Sequence, residues 1–232
     1  MMRSRTAMAA WLAALGATIG WCDTARASKL LTFDDIYGVA SEMPIYSGYG
    51  GLDWQNVEVM NLDWWRSDGG PDNGYVRGAT SGSQVAWVPS TGVSSTTSAV
   101  LSSSTPFAFT SAQLTSAWND GLTVQVDGYL KGQLVGSRTF VLDPDAPTLA
   151  DLGFDAVDVV RLTASGGTID PAFAPRDGSP QLPTPNFVID DVRLGSDGSQ
   201  PTDPPPVPEP STLAFAGLVA AGWWIRSRRR PA

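Results

Sequence analysis

The side chains available for chemistry in this chain are almost all carboxylates. Between Ser28 and Glu209 there are 22 Asp and Glu against eight Lys and Arg, a balance near −14. The whole chain of 232 residues carries only −8, because basic residues gather at its two ends. No histidine occurs anywhere, and the single cysteine is Cys22. A Ser-His-Asp triad, a Cys-His pair and the usual His/Cys zinc sites are therefore excluded. Neither a phosphate-binding glycine loop nor a dinucleotide fingerprint is present. So acidic a body repels nucleic acid and anionic headgroups, and no nucleic-acid partner is expected.

Two uses of carboxylates remain. Glycoside hydrolysis needs a facing pair, but Asp34, Asp35, Asp63, Asp190 and Asp191 are candidates by number only. No spacing singles out a pair, and no catalytic residue is assigned. Calcium takes 6–8 hard oxygen ligands. Asp34-Asp35 ends the first apolar run of the body and Asp190-Asp191 lies in the last. In a jelly roll these two strands are commonly neighbours, so Asp34, Asp35, Asp190 and Asp191 form a candidate calcium site. The competing reading leaves each pair as a strand end, one carboxylate solvated and the other bonded to backbone.

Aromatic residues offer a second chemistry, because sugar rings stack on exposed Trp and Tyr faces. Tyr37, Tyr46, Tyr49, Trp64, Trp65, Tyr75 and Trp87 crowd the first half of the chain. Tyr46, Tyr49, Trp64 and Trp65 are the candidate glycan surface. Trp64 and Trp65 carry the point if they lie on a strand, where adjacent side chains face opposite ways. Trp54, Trp87 and Trp118 read more simply as core.

The elements that position these residues read as strands. From Ser28 onward no 3.6-residue apolar period is evident, and Gly, Ser, Thr, Asp, Asn and Pro punctuate short apolar runs. Leu52 and Trp54 share a face, with a slip of phase near Asn56. Gln84 to Val88 is a short strand stopped by Pro89. Ser90 to Ser104 reads as a loop with one short strand around Ala99-Val-Leu101. Phe107 and Phe109 point inward, and Gln113 to Asp120 is predicted to form a helical turn. Leu122, Val124 and Val126 alternate with Thr123, Gln125 and Asp127, a half-buried strand. Lys131-Gly132 turns that strand into Arg138 to Leu142. Val157 to Thr163 and Asn186 to Leu194 are further strands, with a proline-bearing surface loop from Asp170 to Thr184. The fold class is all-β: an antiparallel, jelly-roll-like β-sandwich over residues 28–195. Trp54, Phe109, Trp118, Val124 and Phe140 are its expected core.

Both ends read as addresses. Arg3 and Arg5 precede an apolar run to Trp21, and Ala25-Arg26-Ala27 supplies a small-x-small cleavage site, so residues 1–27 are read as a signal peptide with a leader helix. Cys22 lies inside that leader, which leaves the exported chain without a thiol. Residues 196–206 are a Pro/Gly/Asp-rich linker. Residues 207–232 then place Pro208-Glu209-Pro210, an apolar run of about 13 residues from Leu213 to Ile225, and Arg226, Arg228, Arg229 and Arg230. A helix of that length falls short of the ~20 residues a bilayer core needs, and the arginines favour the cytoplasmic side.

This ordered tail resembles the PEP-CTERM sorting signal of Gram-negative bacteria. The resemblance implies export through signal peptidase and the general secretion machinery, a transient hold on the membrane by the short helix, and processing by exosortase. It further implies a cell-surface or matrix location in an exopolysaccharide setting. Segments such as Phe33-Asp-Asp35, Gly51-Leu-Asp-Trp-Gln-Asn56 and Phe107 to Trp118 resemble ones recurring in a group of PEP-CTERM exported domains. Phe187-Val-Ile-Asp-Asp-Val is similar to the last strand of carbohydrate-binding jelly rolls. The expected function is that of a non-catalytic, sorted sandwich binding or organising polysaccharide. A structural or adhesive matrix protein and a carboxylate-dependent glycosidase are the alternatives.

Overall fold

The structure, a computed structural model, describes residues 28–90, 94–174 and 184–195. The leader with Ala25 and Ala27, most of the predicted 170–184 loop, the 196–206 linker and the sorting segment with Pro208, Glu209, Pro210, Arg226, Arg228, Arg229 and Arg230 lie outside the described residues. Among the described residues no helix is long and apolar enough to cross a membrane.

Twelve strands are described: β1 (Lys29–Leu31), β2 (Glu42–Pro44), β3 (Asp53–Gln55), β4 (Glu58–Asn61), β5 (Gln84–Val88), β6 (Thr96–Ser116), β7 (Asn119–Asp120), β8 (Leu122–Leu130), β9 (Gln133–Leu142), β10 (Thr148–Ser165), β11 (Thr168–Ile169) and β12 (Phe187–Leu194). Two short helices, α1 (Leu62–Ser67) and α2 (Gly74–Arg77), follow β4. All the strand pairings are antiparallel.

The long strands β6 and β10 build both layers of an antiparallel β-sandwich. They pair over Ser111–Leu114 with Thr148–Asp151, slip register three times, and pair again over Thr96–Ser102 with Val159–Ser165. Beside the later half of β6 come β12, β5, β4 and β2 in turn. Beside the earlier half lies β3, and beyond β10 come β8 and β9. One core fills the space between, drawing Val59, Val88, Leu114 and Phe187 from the first layer and Leu101, Val124, Val126 and Leu162 from the second.

Alternation accounts for most of this. In β8 the apolar residues Leu122, Val124 and Val126 are buried, and Thr123, Gln125 and Asp127 face outward. Lys131 and Gly132, with φ of 52° and 77°, close the β8–β9 hairpin as a tight turn needs. Asn56 has φ 55°, which produces the slip of phase between β3 and β4. The first and last strands are neighbours, with Leu31 opposite Val192. Trp54, Phe109 and Val124 are core, whereas Phe140 and Trp118 are half-buried.

Three expectations are corrected. The Ser/Thr-rich stretch from Thr96 is the start of β6, with Thr97, Ala99 and Leu101 turned inward. Gln113 to Ser116 is strand, not helix, because β10 and β12 flank it on both sides; pairing overrides local propensity. Trp64 and Trp65 lie on α1, capped by the Asn61 side chain, which accepts from Asp63 N and Trp64 N. The argument from opposite strand faces does not apply to them.

Candidate functional site

The outer face of the β4–β5–β12 layer is not bare. A second, smaller cluster of Met60, Leu62, Tyr75, Val85, Ala117 and Val188 lies there, packed against Trp65, Trp87 and Trp118. Helix α2 sits directly on the end of β6. Gly74 N donates to Ala117 O at 3.1 Å, and a Cβ on Gly74 would stand 1.7 Å from Ser116 O. Asn73 caps α2 by accepting from Tyr75 N at 3.2 Å, which fixes the tyrosine ring over the sheet.

Tyr75 is the hub. Its ring meets Trp65 at 5.2 Å, Trp87 at 5.4 Å and Trp118 at 5.8 Å between centroids, all edge-on. Trp118 continues to Phe173 at 6.3 Å, and the Arg77 guanidinium lies 5.4 Å from the Phe173 centroid. Burial pushes the Tyr75 phenol well above its ordinary value, and its oxygen accepts from Asn186 Nδ2 at 3.0 Å. Trp65 Nε1 donates to Pro71 O at 3.0 Å, while the buried Trp87 Nε1 has no partner among the described residues. Trp64, Trp65, Trp87 and Trp118 are each half-buried, so part of every indole stays open.

Acids border this cluster. Glu58 is opposite Trp87 in the β4–β5 register, and Glu42 lies diagonally across β2 on the same face. Burial, and then the charge of Glu42, raises the Glu58 carboxyl above its ordinary value. An arrangement of open indole faces with carboxylate acceptors alongside can hold the apolar face of a ring while bonding its hydroxyls.

The predicted aromatic surface divides in two. Trp64 and Trp65 join this cluster, with their rings 6.4 Å apart. Tyr49 belongs to the main core at 4 % exposure: its hydroxyl accepts from Phe33 N at 3.1 Å and donates to Asp35 at 2.7 Å. Tyr46 is 54 % exposed and packs edge-on against Tyr49. Tyr75 supplies the hub that the sequence reading did not single out; an aromatic directly after Asn-Gly at a helix start was the available signal.

The four aspartates act on loops. Asp34 Oδ1 accepts from Ser83 N at 2.8 Å and Gln84 N at 3.0 Å. Fully buried Asp190 accepts from Thr80 N at 2.7 Å and Ser81 N at 3.0 Å through Oδ2, and from Asp191 N through Oδ1. Asp191 Oδ2 takes Thr80 Oγ1 at 2.9 Å, and Asp35 is engaged by Tyr49. Burial raises the Asp190 carboxyl despite these donors. Among the described residues no group of three or more acidic side chains is placed to hold a metal ion.

Comparison with solved structures finds one that shares this fold and others at lower similarity. A DUF4465 family protein from Bacteroides caccae superposes with a TM-score of 0.50 at 11 % identity, covering 73 % of this chain and 99 % of that one. The family 11 carbohydrate-binding module of cellulosomal cellulase Lic26A-Cel5E of Clostridium thermocellum follows at 0.35 and 12 %, covering 74 % and 97 %. TmCBM61 in complex with β-1,4-galactotriose gives 0.37 and 10 %, covering 64 % and 92 %. At such identities the first likeness is one of fold. No curated protein matches the chain by sequence. Residues 206–230 match the PEP-CTERM protein-sorting motif, and the chain is therefore an antiparallel β-sandwich with a PEP-CTERM sorting signal behind it.

Proposed function

We propose that this exported, sorted sandwich is a non-catalytic polysaccharide-binding protein of the Gram-negative cell surface or matrix. The open indoles around Tyr75 form its sugar-stacking surface. The observation that carries the reading is that cluster: four half-buried tryptophans gathered on an outer sheet face, with Glu42 and Glu58 beside them. Neutral or sparsely charged glycans fit best, because the acidic body repels dense polyanions. Exosortase processing of the tail then delivers the body to the matrix in which such chains lie.

A glycan array probed with the exported protein tests this. The expected result is retention on one or more neutral polysaccharides, weakened at least tenfold by Trp64→Ala with the melting midpoint preserved. Absence of retention on every glycan returns the protein to a structural or adhesive matrix role. The hydrolase reading draws on one observation, the raised Glu58 carboxyl next to Glu42. Release of reducing ends from a retained glycan, abolished by Glu58→Gln, would establish it in place of pure binding.

A further inference from the structure

The opposite layer carries an unassigned polar cleft. Its floor is the outward face of β6 and β10, where Ser98 stands opposite Thr163 and Val100 opposite Arg161. A cleft of about 460 Å³ opens there, lined by Asn56, Thr96, Thr97, Ser98, Arg161 and Thr163. Every one of these lining residues carries a polar group, so a ligand seated there can be hydrogen-bonded from the sheet.

Two features make this more than a solvated strand face. Asn56, held at φ 55°, is pinned by its amide to Pro89 O at 3.0 Å and Ser98 O at 2.9 Å, which fixes the cleft wall. Arg161 has an acidic neighbour in register, Asp127 on β8, and yet makes no ion pair among the described residues. Asp127 instead accepts from Gln125 Nε2 at 2.9 Å and from Ser137 Oγ at 2.6 Å. Among the described residues the guanidinium's planar fork of donors has no partner, and it lies beside a row of hydroxyls. That fork matches a carboxylate, and the hydroxyls match the ring oxygens and hydroxyls of a sugar.

We infer that the Asn56–Arg161 cleft is a second saccharide site, selective for a sugar that bears a carboxylate within an otherwise neutral chain. One arginine on a body near −14 suits a sparse acid group and disfavours a dense polyanion. The site lies on the other sheet from the Tyr75 cluster, so one molecule holding a glycan on each layer bridges two chains. The inference deepens the proposed glycan binding while using different residues.

The test compares three probes on the exported protein by NMR titration or calorimetry: a glucose–glucuronate disaccharide, its carboxyl-reduced twin, and sodium sulfate. The acidic disaccharide is expected to bind at least tenfold tighter than the reduced one. Arg161→Gln erases that difference, Arg161→Lys keeps part of it, and Trp64→Ala leaves it intact. Equal affinity for the two disaccharides, no binding of either, or an unchanged preference in Arg161→Gln overturns the site. Sulfate that binds as tightly as the acidic disaccharide also overturns it, by showing a bare anion site. If Trp64→Ala removes neutral-glycan retention while the acidic preference persists, the two sites are independent. If the array shows no neutral-glycan retention but the acidic preference stands, the Tyr75 reading alone fails.

Discussion

Asp34, Asp190 and Asp191 converge on the loop from Thr80 to Gln84 and clasp it between the first and last strands. Consecutive strand residues ordinarily point to opposite faces. Asp191 has φ 48°, and the β12–β6 register shifts between Asp190 and Arg193, so this bulge turns both carboxylates toward Thr80. Asp190→Ala strips the acceptor from three main-chain donors, Thr80 N, Ser81 N and Asp191 N, and is expected to cost about 2–4 kcal/mol in chemical denaturation. The titration has a definite sign. With its folded pKa raised above the ordinary 3.8, Asp190 stabilises the fold fully below that value and loses the contribution as pH rises through the raised one. Wild type should therefore gain on Asp190→Asn in melting temperature between pH 7 and pH 3.5; a gap that shrinks on acidification contradicts the assignment. Gly82 completes the clasp. At φ 42°, with a built Cβ only 1.9 Å from Asp34 Oδ1, Gly82→Ala should cost about 1–3 kcal/mol, read from the same denaturation curves.

At the scale of elements, β6 and β10 decide the architecture, and they show what a sequence can and cannot reveal. Strands with clean alternation, such as Leu122 to Val126, and turns with Lys-Gly chemistry are legible because the signal is local. The 21-residue β6 is not, since it is apolar in phase on either side of an exposed Ser104-Thr105-Pro106 segment that reads as a break. Partners from both layers hold it extended through that break. Helix α1 was hidden for a related reason: six residues are too few for a periodic pattern, and only Asn61 marks its start. The Tyr75 cluster depends on β4, α1, α2, β5, β12 and the Ala117-Trp118 turn all meeting, which no spacing along the chain encodes. Burial separates the two clusters energetically. Phe109→Ala, at a fully enclosed position between the layers, should cost about 3–5 kcal/mol. Trp118→Ala, on the half-open outer cluster, should cost clearly less in parallel urea titrations. Equal losses would place Trp118 in the main core and remove it from a binding surface.

For the whole molecule, the direction of β12 links fold to address. Lys29 pairs with Leu194, so the chain enters and leaves the body at one end of the sandwich. The other end of β12, at Phe187, abuts Ser116 and Val88 beside the Tyr75 cluster, with Ala117 N donating to Asn186 O. Eight extended residues separate the two ends by roughly 25 Å. A body held by its carboxyl-terminal tail therefore carries the aromatic cluster away from the point of attachment. If the cluster binds glycan as proposed, capture is expected both before and after the tail is processed. The PEP-CTERM motif over residues 206–230 lies behind the body, and processing is expected near Pro208-Glu209-Pro210. Mass spectrometry of the exported protein is expected to show a chain beginning at Ser28 and lacking Arg226, Arg228, Arg229 and Arg230. Membrane-retained precursor, isolated with those arginines intact, should bind the same glycan within about twofold of the processed form. Mature protein that keeps the arginines would make the tail a permanent anchor. A precursor unable to bind would mean that the attached end, and not the Trp87 end, meets the polysaccharide.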